Sequence, residues 1–436
     1  MGQTLRWGVV LCGCLIAGTP VGLALSAEPP ESFASFESAS LFQPPPTTPM
    51  TPPAAADDDD DTASPLPTTN PPRPPIRRGA TSSTWRSASL SRRPVTRLAS
   101  IPKMFGDFDP MNGYMAIYNQ LYNGMFATDI ASAGVGQRLK VLENNNAWPD
   151  NRIDFVYRHY HNALSSTPPF GAPNVNQFPV DSYTFSWERT FLDGDVSLQV
   201  VMPFLGTPTI YSADMAFPNN HVSGGNVGNA GVVFKGLLYE DGAFAFSGGL
   251  GVNAPTGSNA NGRAFDTAFE IQNRAWQLAP YASFIWAPGD GLFQDFFMQG
   301  GIQYDMVAGS NRVMAHNATA GFSGPLMDVV DPNLLFVDLT CGVWLWENPE
   351  APILSGVAGQ VELHSATSGA SHFAAGAAGS DVFVFGGPGA RIDNLNITGG
   401  LRFMLFGNMT LGVSGVAPLN GRLFDAEVQA ITSIFL

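Results

Sequence analysis

The chain has 436 residues and a formal net charge of −15, and only 13% of its residues are charged although 44% are hydrophobic. Soluble domains usually carry about 25% charged residues, and α-helical membrane proteins show runs of about twenty apolar residues, so neither class fits. The acidic balance leaves no basic face for phosphates and excludes nucleic acid as a partner.

Residues 1–27 have the pattern of a secretory signal peptide. Arg6 supplies the positive charge, and the stretch from Trp7 to Leu25 is uncharged and ends in small residues. An uncleaved anchor is the first alternative, but glycines interrupt the run. A lipoprotein signal at Cys14 is the second, but too few apolar residues precede it. The pattern predicts export.

Residues 28–103 are rich in proline and contain an acidic run, Asp57 to Asp61, followed by an arginine-rich stretch. Such a composition buries too little apolar surface to offset the entropy of ordering, so it predicts a disordered linker. The linker would serve as a spacer, or its arginines would contact an anionic surface such as the cell wall.

Residues 104–151 allow several interpretations. The apolar runs 114–118 and 121–126 could form a short helix or an extra hairpin, and the segment as a whole could be periplasmic or a plug. The hairpin would add two strands to those predicted below and raise their number from twelve to fourteen.

From residue 152 onward, runs of alternating polarity predict strands, because side chains alternate between the two faces of a strand. The run 152–158 places Ile153, Phe155 and Tyr157 on one face and charged residues on the other. The run 334–347 places Trp344 and Trp346 on the same face as Asp338, so its facing stays open. The predicted strands are 152–163, 181–192, 196–205, 228–240, 244–256, 276–288, 296–308, 334–347, 356–366, 395–406, 409–419 and 427–436.

The connectors alternate between long and short, and the short ones include Asp193-Gly194-Asp195 and Gly407-Asn408, which suit hairpin turns. Outer-membrane barrels have tight periplasmic turns and long outer loops. A soluble β-sandwich would need more charge on its wet face. We therefore predict an all-β, antiparallel up-and-down transmembrane β-barrel of about twelve strands over 152–436, in the outer membrane of a Gram-negative-type bacterium.

One stretch supports this fold by resemblance. Residues 225–235 are followed by Asp241-Gly242-Ala243-Phe244 and then by 248–257, which closes with Pro255-Thr256-Gly257. This arrangement resembles the outer-membrane β-barrel family associated with the phenol degradation meta-pathway, except that Asn229 replaces the usual acidic residue. The resemblance implies a barrel that transports small organic molecules, apolar ones among them.

The inward-facing polar residues are the predicted functional residues, because charged rings set the field in narrow pores. The alternative is that they form internal salt bridges that fill the barrel. The predicted lumen-lining residues are Arg152, Asp154, Arg158, Glu188, Lys235, Asp305, Gln360, Glu362 and Arg402.

The function expected from these features is a pore or passive transporter for small solutes, with outer-membrane lipid as its surroundings. The alternative is a non-conducting structural or surface-binding barrel that uses its long loops. We expect no enzymatic activity, no bound cofactor and no metal site. His159 and His161 share a strand face but suit a membrane interface, and a Ser–His pair using His364 or His372 has no support beyond proximity in the sequence.

Overall fold

A computed structural model describes residues 97–107, 114–122, 124–129, 138–167, 176–206, 209–211, 219–369, 373–386, 392–420 and 424–436. The predicted signal peptide and the linker up to residue 96 lie outside these residues. Within the described residues, the helical elements are one turn each, at Arg97–Ser100 (α1), Leu192–Gly194 and Gly291–Phe293. Over this described part of the chain, no helix is long and apolar enough to cross a membrane.

Strands make up nearly all of the regular structure. In chain order they are β1 Tyr114–Asn119, β2 Gly124–Asp129, β3 Arg152–Thr167, β4 Asn176–Phe191, β5 Val196–Gly206, β6 Thr209–Tyr211, β7 His221–Ser223, β8 Gly231–Glu240, β9 Phe244–Asn253, β10 Ala260–Ala264, β11 Thr267–Gln272, β12 Trp276–Trp286, β13 Phe296–Ala308, β14 Asn311–Asn317, β15 Phe322–Val329, β16 Leu334–Glu347, β17 Leu354–Ser368, β18 Phe373–Ala378, β19 Asp381–Gly386, β20 Asp393–Leu405, β21 Met409–Pro418 and β22 Ala426–Phe435.

Twelve of these strands form a closed antiparallel barrel, which confirms the predicted fold and strand number. Their order around the wall is β3, β22, β21, β20, β17, β16, β13, β12, β9, β8, β5 and β4, and β4 pairs again with β3 to close the ring. Tight turns join the strands at one end, here called the short-turn end, where β3 begins and β22 finishes. The other end is the long-loop end.

The alternation of side chains separates a polar lumen from an apolar outer face. On β17, Gln360, Glu362 and His364 are buried inside, whereas Val361 and Leu363 are exposed on the outside. The sequence left open which face of β16 points into the barrel. A β-bulge between Trp344 and Trp346 shifts the facing of the residues at the end of this strand. Asp338 and Trp344 both point inward, and beyond the bulge Trp346 is exposed.

Two segments that form no strand run through the lumen, and we call residues 97–107 and 138–151 the inner pair. The first begins at the short-turn end, where Leu98 packs with Ala287 and Phe297. From there the first segment extends to the long-loop end. The second segment runs in the opposite direction and ends at the start of β3. The two contact each other where Met104 N–H donates to Asn145 O at 3.1 Å. Residues 97–103, assigned to the linker by composition, are therefore folded, because the lumen wall supplies the burial that they lack alone.

A folded structure at the long-loop end, called the cap, is formed by hairpins in the long connectors and by the hairpin β1–β2, which precedes the barrel strands. The cap contains β1, β2, β6, β7, β10, β11, β14, β15, β18 and β19. The order β18-β19-β1-β2 continues from the end of β3, and a second sheet has the order β15-β14-β11-β10-β7-β6. The two sheets share an apolar core that includes Ile117, Phe269 and Phe383. The predicted hairpin in 104–151 thus exists, but it belongs to the cap, and the fourteen-strand alternative is wrong.

Candidate functional site in the lumen

The nine predicted lumen residues all point into the barrel. Their exposed fractions lie between 0% and 3%. Most of them contact the inner pair directly. The interior of the described conformation is therefore filled by paired polar groups. That these residues line an open channel stays a prediction.

Glu188 is the centre of the first cluster, near the short-turn end. Arg152 donates from Nε to Glu188 Oε2 at 2.7 Å, and Lys235 Nζ lies 3.1 Å from Glu188 Oε1. Arg152 also donates to Asp154 at 3.2 Å and to the Asn144 carbonyl at 2.6 Å. These charges lie inside because side chains alternate between the two faces of each strand. The second segment of the inner pair supplies a further acceptor, the Asn144 carbonyl. Each buried charge thus has several partners.

Glu362 and Arg402 hold the first segment of the inner pair. The backbone N–H groups of Phe105 and Gly106 donate to the two carboxylate oxygens of Glu362, at 2.8 and 3.0 Å. Arg402 donates to the Met104 carbonyl at 2.9 Å, and its guanidinium lies 4.3 Å from the centre of the Phe105 ring. Gln360 donates to the Lys103 carbonyl at 3.2 Å. The wall therefore binds mainly the backbone of this segment.

The second segment is held through its side chains as well. Arg138 donates to Asp305 at 2.8 Å, near the long-loop end. Arg158 lies 2.5 Å from the Glu143 carboxylate and donates to the Asp107 carbonyl at 2.9 Å, so it contacts both segments. These contacts are polar, and water could replace each of them if the inner pair left the lumen.

The sequence did not single out several inward residues that take part in the same network. Asp338 lies on β16, whose facing the sequence left open, and Glu427 is the second residue of β22. The alternation of side chains along each strand would by itself have identified the inward Gln and Asn residues. The missed inward residues that contact the inner pair or each other are Gln299, Gln303, Asp338, His364, Asn396, Thr398, Glu427 and Gln429.

The inner pair does not fill the lumen completely. A cavity of about 60 Å³ lies between the second segment and the wall formed by β3, β4, β5, β8 and β9. Arg158, Ser186, Gln199 and Asn253 supply polar groups to its lining, and Val156 supplies an apolar one. A polar cavity of this size accommodates a few water molecules.

The histidines considered in the sequence occupy different environments. His159 lies on the outer face, where its Nδ1 is 2.9 Å from Asp181 Oδ1. His364 is buried in the lumen, where its Nδ1 is 2.7 Å from Asp338 Oδ1. His372 lies outside the described residues. The interfacial position predicted for His159 agrees with its exposure, whereas His364 belongs to an ionisable cluster that the sequence did not reveal.

No known protein-family profile matches the chain, and no curated protein is similar to it. Several solved outer-membrane barrels are similar in structure at low identity. An outer-membrane channel from Pseudomonas putida F1 is 13% identical with a TM-score of 0.40, covering 66% of this chain and 96% of that one. The toluene transporter TodX of Pseudomonas putida is 9% identical with a TM-score of 0.32, covering 66% and 91%. The NanC porin is 10% identical with a TM-score of 0.35, covering 66% and 99%.

Proposed function

We propose that the chain is an outer-membrane channel for small solutes and that the inner pair closes it in the described conformation. The observation that carries the proposal is the polarity of the lumen wall, together with the polar contacts that hold the inner pair. A wall lined by Leu and Phe would expel water, whereas this wall stays wettable when the inner pair withdraws. The chain thus has the two parts that a closable channel needs.

The outer face supports placement in a lipid bilayer. Large apolar side chains are exposed on strands around the ring, among them Phe185, Phe234, Ile302 and Val413. In water such a continuous apolar band would aggregate, and in lipid it is the ordinary surface of a barrel. Lipid contact and outer-membrane placement follow from the proposal. Contact of the arginine-rich linker with the cell wall is a separate part of it, supported by the charge of the linker alone.

The wall charges support a preference for cations once the inner pair has left. Among the buried charged groups of the described barrel strands, six are acidic and four are basic, a net charge of −2 with His364 neutral. A negatively charged lumen favours cations over anions. The acidic residues are Asp154, Glu188, Asp305, Asp338, Glu362 and Glu427, and the basic residues are Arg152, Arg158, Lys235 and Arg402. The sequence resemblance to the phenol meta-pathway barrels adds apolar organic molecules to the candidate solutes.

Single-channel conductance of the refolded full chain tests the proposal, with Gly106→Val as the opening variant. Gly106 has φ +87, and a Cβ there would lie 2.8 Å from Glu143 Cγ and 3.1 Å from an Arg158 nitrogen. Gly242→Val is the matched control, since Gly242 has φ +84 but no atom within 4 Å of its Cβ position. We expect frequent conductance steps for Gly106→Val, and rare ones for the parent and the control.

Heat-modifiable migration on a gel shows first that each variant has folded. A folded Gly106→Val barrel that passes no current, at any voltage, contradicts the proposal. Steps that appear equally in Gly242→Val show that a strained backbone, rather than the inner pair, changes the current. Reversal potentials in a salt gradient then test the cation preference.

A second function is favoured by the folded state of the cap. Loops that only border a pore need no core of their own, yet the cap buries Ile117, Phe269 and Phe383 between two sheets. Exposed side chains such as Leu121 and Tyr211 lie on its surface. A non-conducting barrel that presents the cap for binding is the alternative, and a folded barrel without conductance would support it.

A further inference from the structure

A group of ionisable side chains in the lumen joins the inner pair to the wall. Asp338 of β16 and His364 of β17 are directly paired across the two strands and both point inward. Asp107 comes from the first segment of the inner pair and contacts the same place. All three side chains are buried. The group therefore combines residues from the moving and the fixed parts of the proposed channel.

The geometry of the three side chains fits a metal ion. One ligand atom from each lies within 4.8 Å of the other two. His364 Nδ1 is 2.7 Å from Asp338 Oδ1 and 3.8 Å from Asp107 Oδ1. A tetrahedral zinc ion with bonds of about 2.0–2.2 Å separates its ligand atoms by roughly 3.3–3.6 Å. These two distances bracket the tetrahedral values, so shifts of less than about 1 Å bring His364 Nδ1 to ligand spacing from each aspartate.

A second observation concerns the other nitrogen of His364. Its Nε2 lies 3.1 Å from Glu362 Oε2, close enough for an ion pair although not aligned for a hydrogen bond. Histidines that bind metals usually present their second nitrogen to a carboxylate, which fixes the ring and raises its basicity. Glu362 is itself held by the backbone N–H groups of Phe105 and Gly106. Nδ1 of His364 thus lies near the two aspartates, and Glu362 is placed to accept a hydrogen bond from Nε2 after a small rotation of the ring.

A third observation is that this group already attracts a cation from within the chain. The Lys140 ammonium, from the second segment of the inner pair, contacts the Asp107 carboxylate. It also lies 5.3 Å from the centre of the Phe336 ring, whose face can hold an ammonium. A metal ion would displace Lys140 from Asp107, and the Phe336 ring gives the ammonium a place beside the site.

We propose that Asp107, Asp338 and His364 bind a divalent transition metal ion, with Zn²⁺ as the best match to one imidazole and two carboxylates. Water completes the coordination. Because Asp107 belongs to the inner pair and the other two belong to the wall, the bound ion pins the inner pair in the lumen. Binding itself stands apart from the proposed channel function, whereas the effect on closure rests on it.

Isothermal titration of the refolded full chain with Zn²⁺ tests the binding, and visible absorption with Co²⁺ tests the coordination. We expect one ion per chain and Co²⁺ bands typical of tetrahedral nitrogen and oxygen ligands. Lys140→Met should bind more tightly than the parent, because the competing ammonium is gone. Lys103→Met is the matched control, since Lys103 is a buried lysine of the inner pair that contacts Asp150 and Asn146 instead.

Two further variants separate the site from other histidines and from misfolding. Glu362→Gln should weaken binding about 10- to 100-fold, as loss of a carboxylate that orients a metal-binding histidine does. Asp107→Asn should abolish it, and its fold is checked by heat-modifiable migration. Replacement of both His159 and His161 by Ala should leave binding unchanged. Failure to bind in both the parent and Lys140→Met, or loss of binding in the His159/His161 variant, overturns the site.

Closure is tested in the Gly106→Val channel. Micromolar Zn²⁺ should lower its opening frequency, and Asp107→Asn in the same chain should remove that effect. If Zn²⁺ binds by titration but leaves the openings unchanged, the pinning is refuted and the site stands. If the channel passes no current at all, the proposed channel function fails while the titration still decides the site.

Discussion

The lumen and the cap are both buried, but their interiors are built from opposite kinds of side chain. The lumen holds charged pairs such as Arg152–Glu188 and Arg138–Asp305. The cap holds an apolar cluster that includes Phe269 and Phe383, with ring centres 5.5 Å apart. The difference follows from the surroundings. The barrel presents its apolar face outward, which leaves polar groups for the inside, whereas the cap folds as sheets in water do.

This contrast has an energetic consequence. Removing one member of a buried ion pair leaves an uncompensated charge, which is more costly than the pair was ever stabilising. Removing an apolar side chain leaves a cavity, whose cost depends on how far the neighbours relax. The lumen should therefore respond most strongly to charge removal, and the cap to loss of volume.

The largest effect is expected for Arg152→Met. The substitution leaves Glu188 buried with Lys235 as its remaining basic partner at 3.1 Å, and it frees the Asn144 carbonyl. We expect the free energy of unfolding to fall by about 4 kcal/mol. Urea titration of the refolded barrel in lipid, followed by heat-modifiable migration, measures it.

Arg312→Met is the matched control for Arg152→Met. Arg312 pairs with Asp328 at 3.0 Å in the cap, but the two side chains are 40% and 49% exposed. A pair at that exposure contributes less than about 1 kcal/mol. Equal losses in the two variants would show that burial does not distinguish the lumen charges from surface ones.

The sequence predicted the barrel wall well and the contents of the barrel poorly, for physical reasons. Alternation along a strand is a local property, so strands such as β13 and β16 were predicted with the bounds that the structure has. Strand parity also placed all nine predicted residues inside. The inner pair has no such period, because its backbone bonds to wall side chains, as Phe105 N–H does to Glu362.

The cap and the His364 group escaped prediction because they depend on contacts between distant parts of the chain. Strand β10, with the sequence Ala-Asn-Gly-Arg-Ala, is only five residues long and has no large apolar side chain, so its alternation is a weak signal, and it is stabilised by its pairing with β7 and β11. Likewise, Asp107 meets His364 only when the inner pair lies in the lumen. Composition and periodicity carry no information on such contacts between residues that are distant in the sequence.

A smaller effect, confined to the cap, is expected for Phe383→Ala. Phe383 is fully buried between the two cap sheets, so its truncation should lower the stability of the cap by about 3 kcal/mol. Hydrogen exchange of cap peptides measures the loss, while heat-modifiable migration of the barrel should not change. Tyr211→Ala, at an exposed cap position, should shift exchange by less than about 0.5 kcal/mol. Loss of the barrel together with the cap would contradict the separation of the two interiors.

The smallest effect concerns Asp381, a buried carboxyl group in the otherwise apolar cap. Thr267 donates to it at 2.5 Å and Asn317 at 3.3 Å, and Asn119 donates to its other oxygen. Burial raises the pKa of Asp381, and the hydrogen bonds from Thr267 and Asn119 lower it by less. The native cap therefore takes up a proton at a higher pH than the unfolded chain does.

The sign of the pH dependence follows from that order. The contribution of Asp381 to stability is fully present below the unfolded-state pKa and is lost as the pH rises through the raised pKa of the folded cap. Asp381→Asn cannot titrate, so lowering the pH from about 7 to about 4 should favour the parent over the variant by under about 1 kcal/mol. Hydrogen exchange of the cap at several pH values measures the difference, and Asp328→Asn controls for loss of an exposed cap carboxylate. A difference that grows toward high pH would mean that the donors around Asp381, rather than its burial, dominate, and that this part of the cap resembles the lumen.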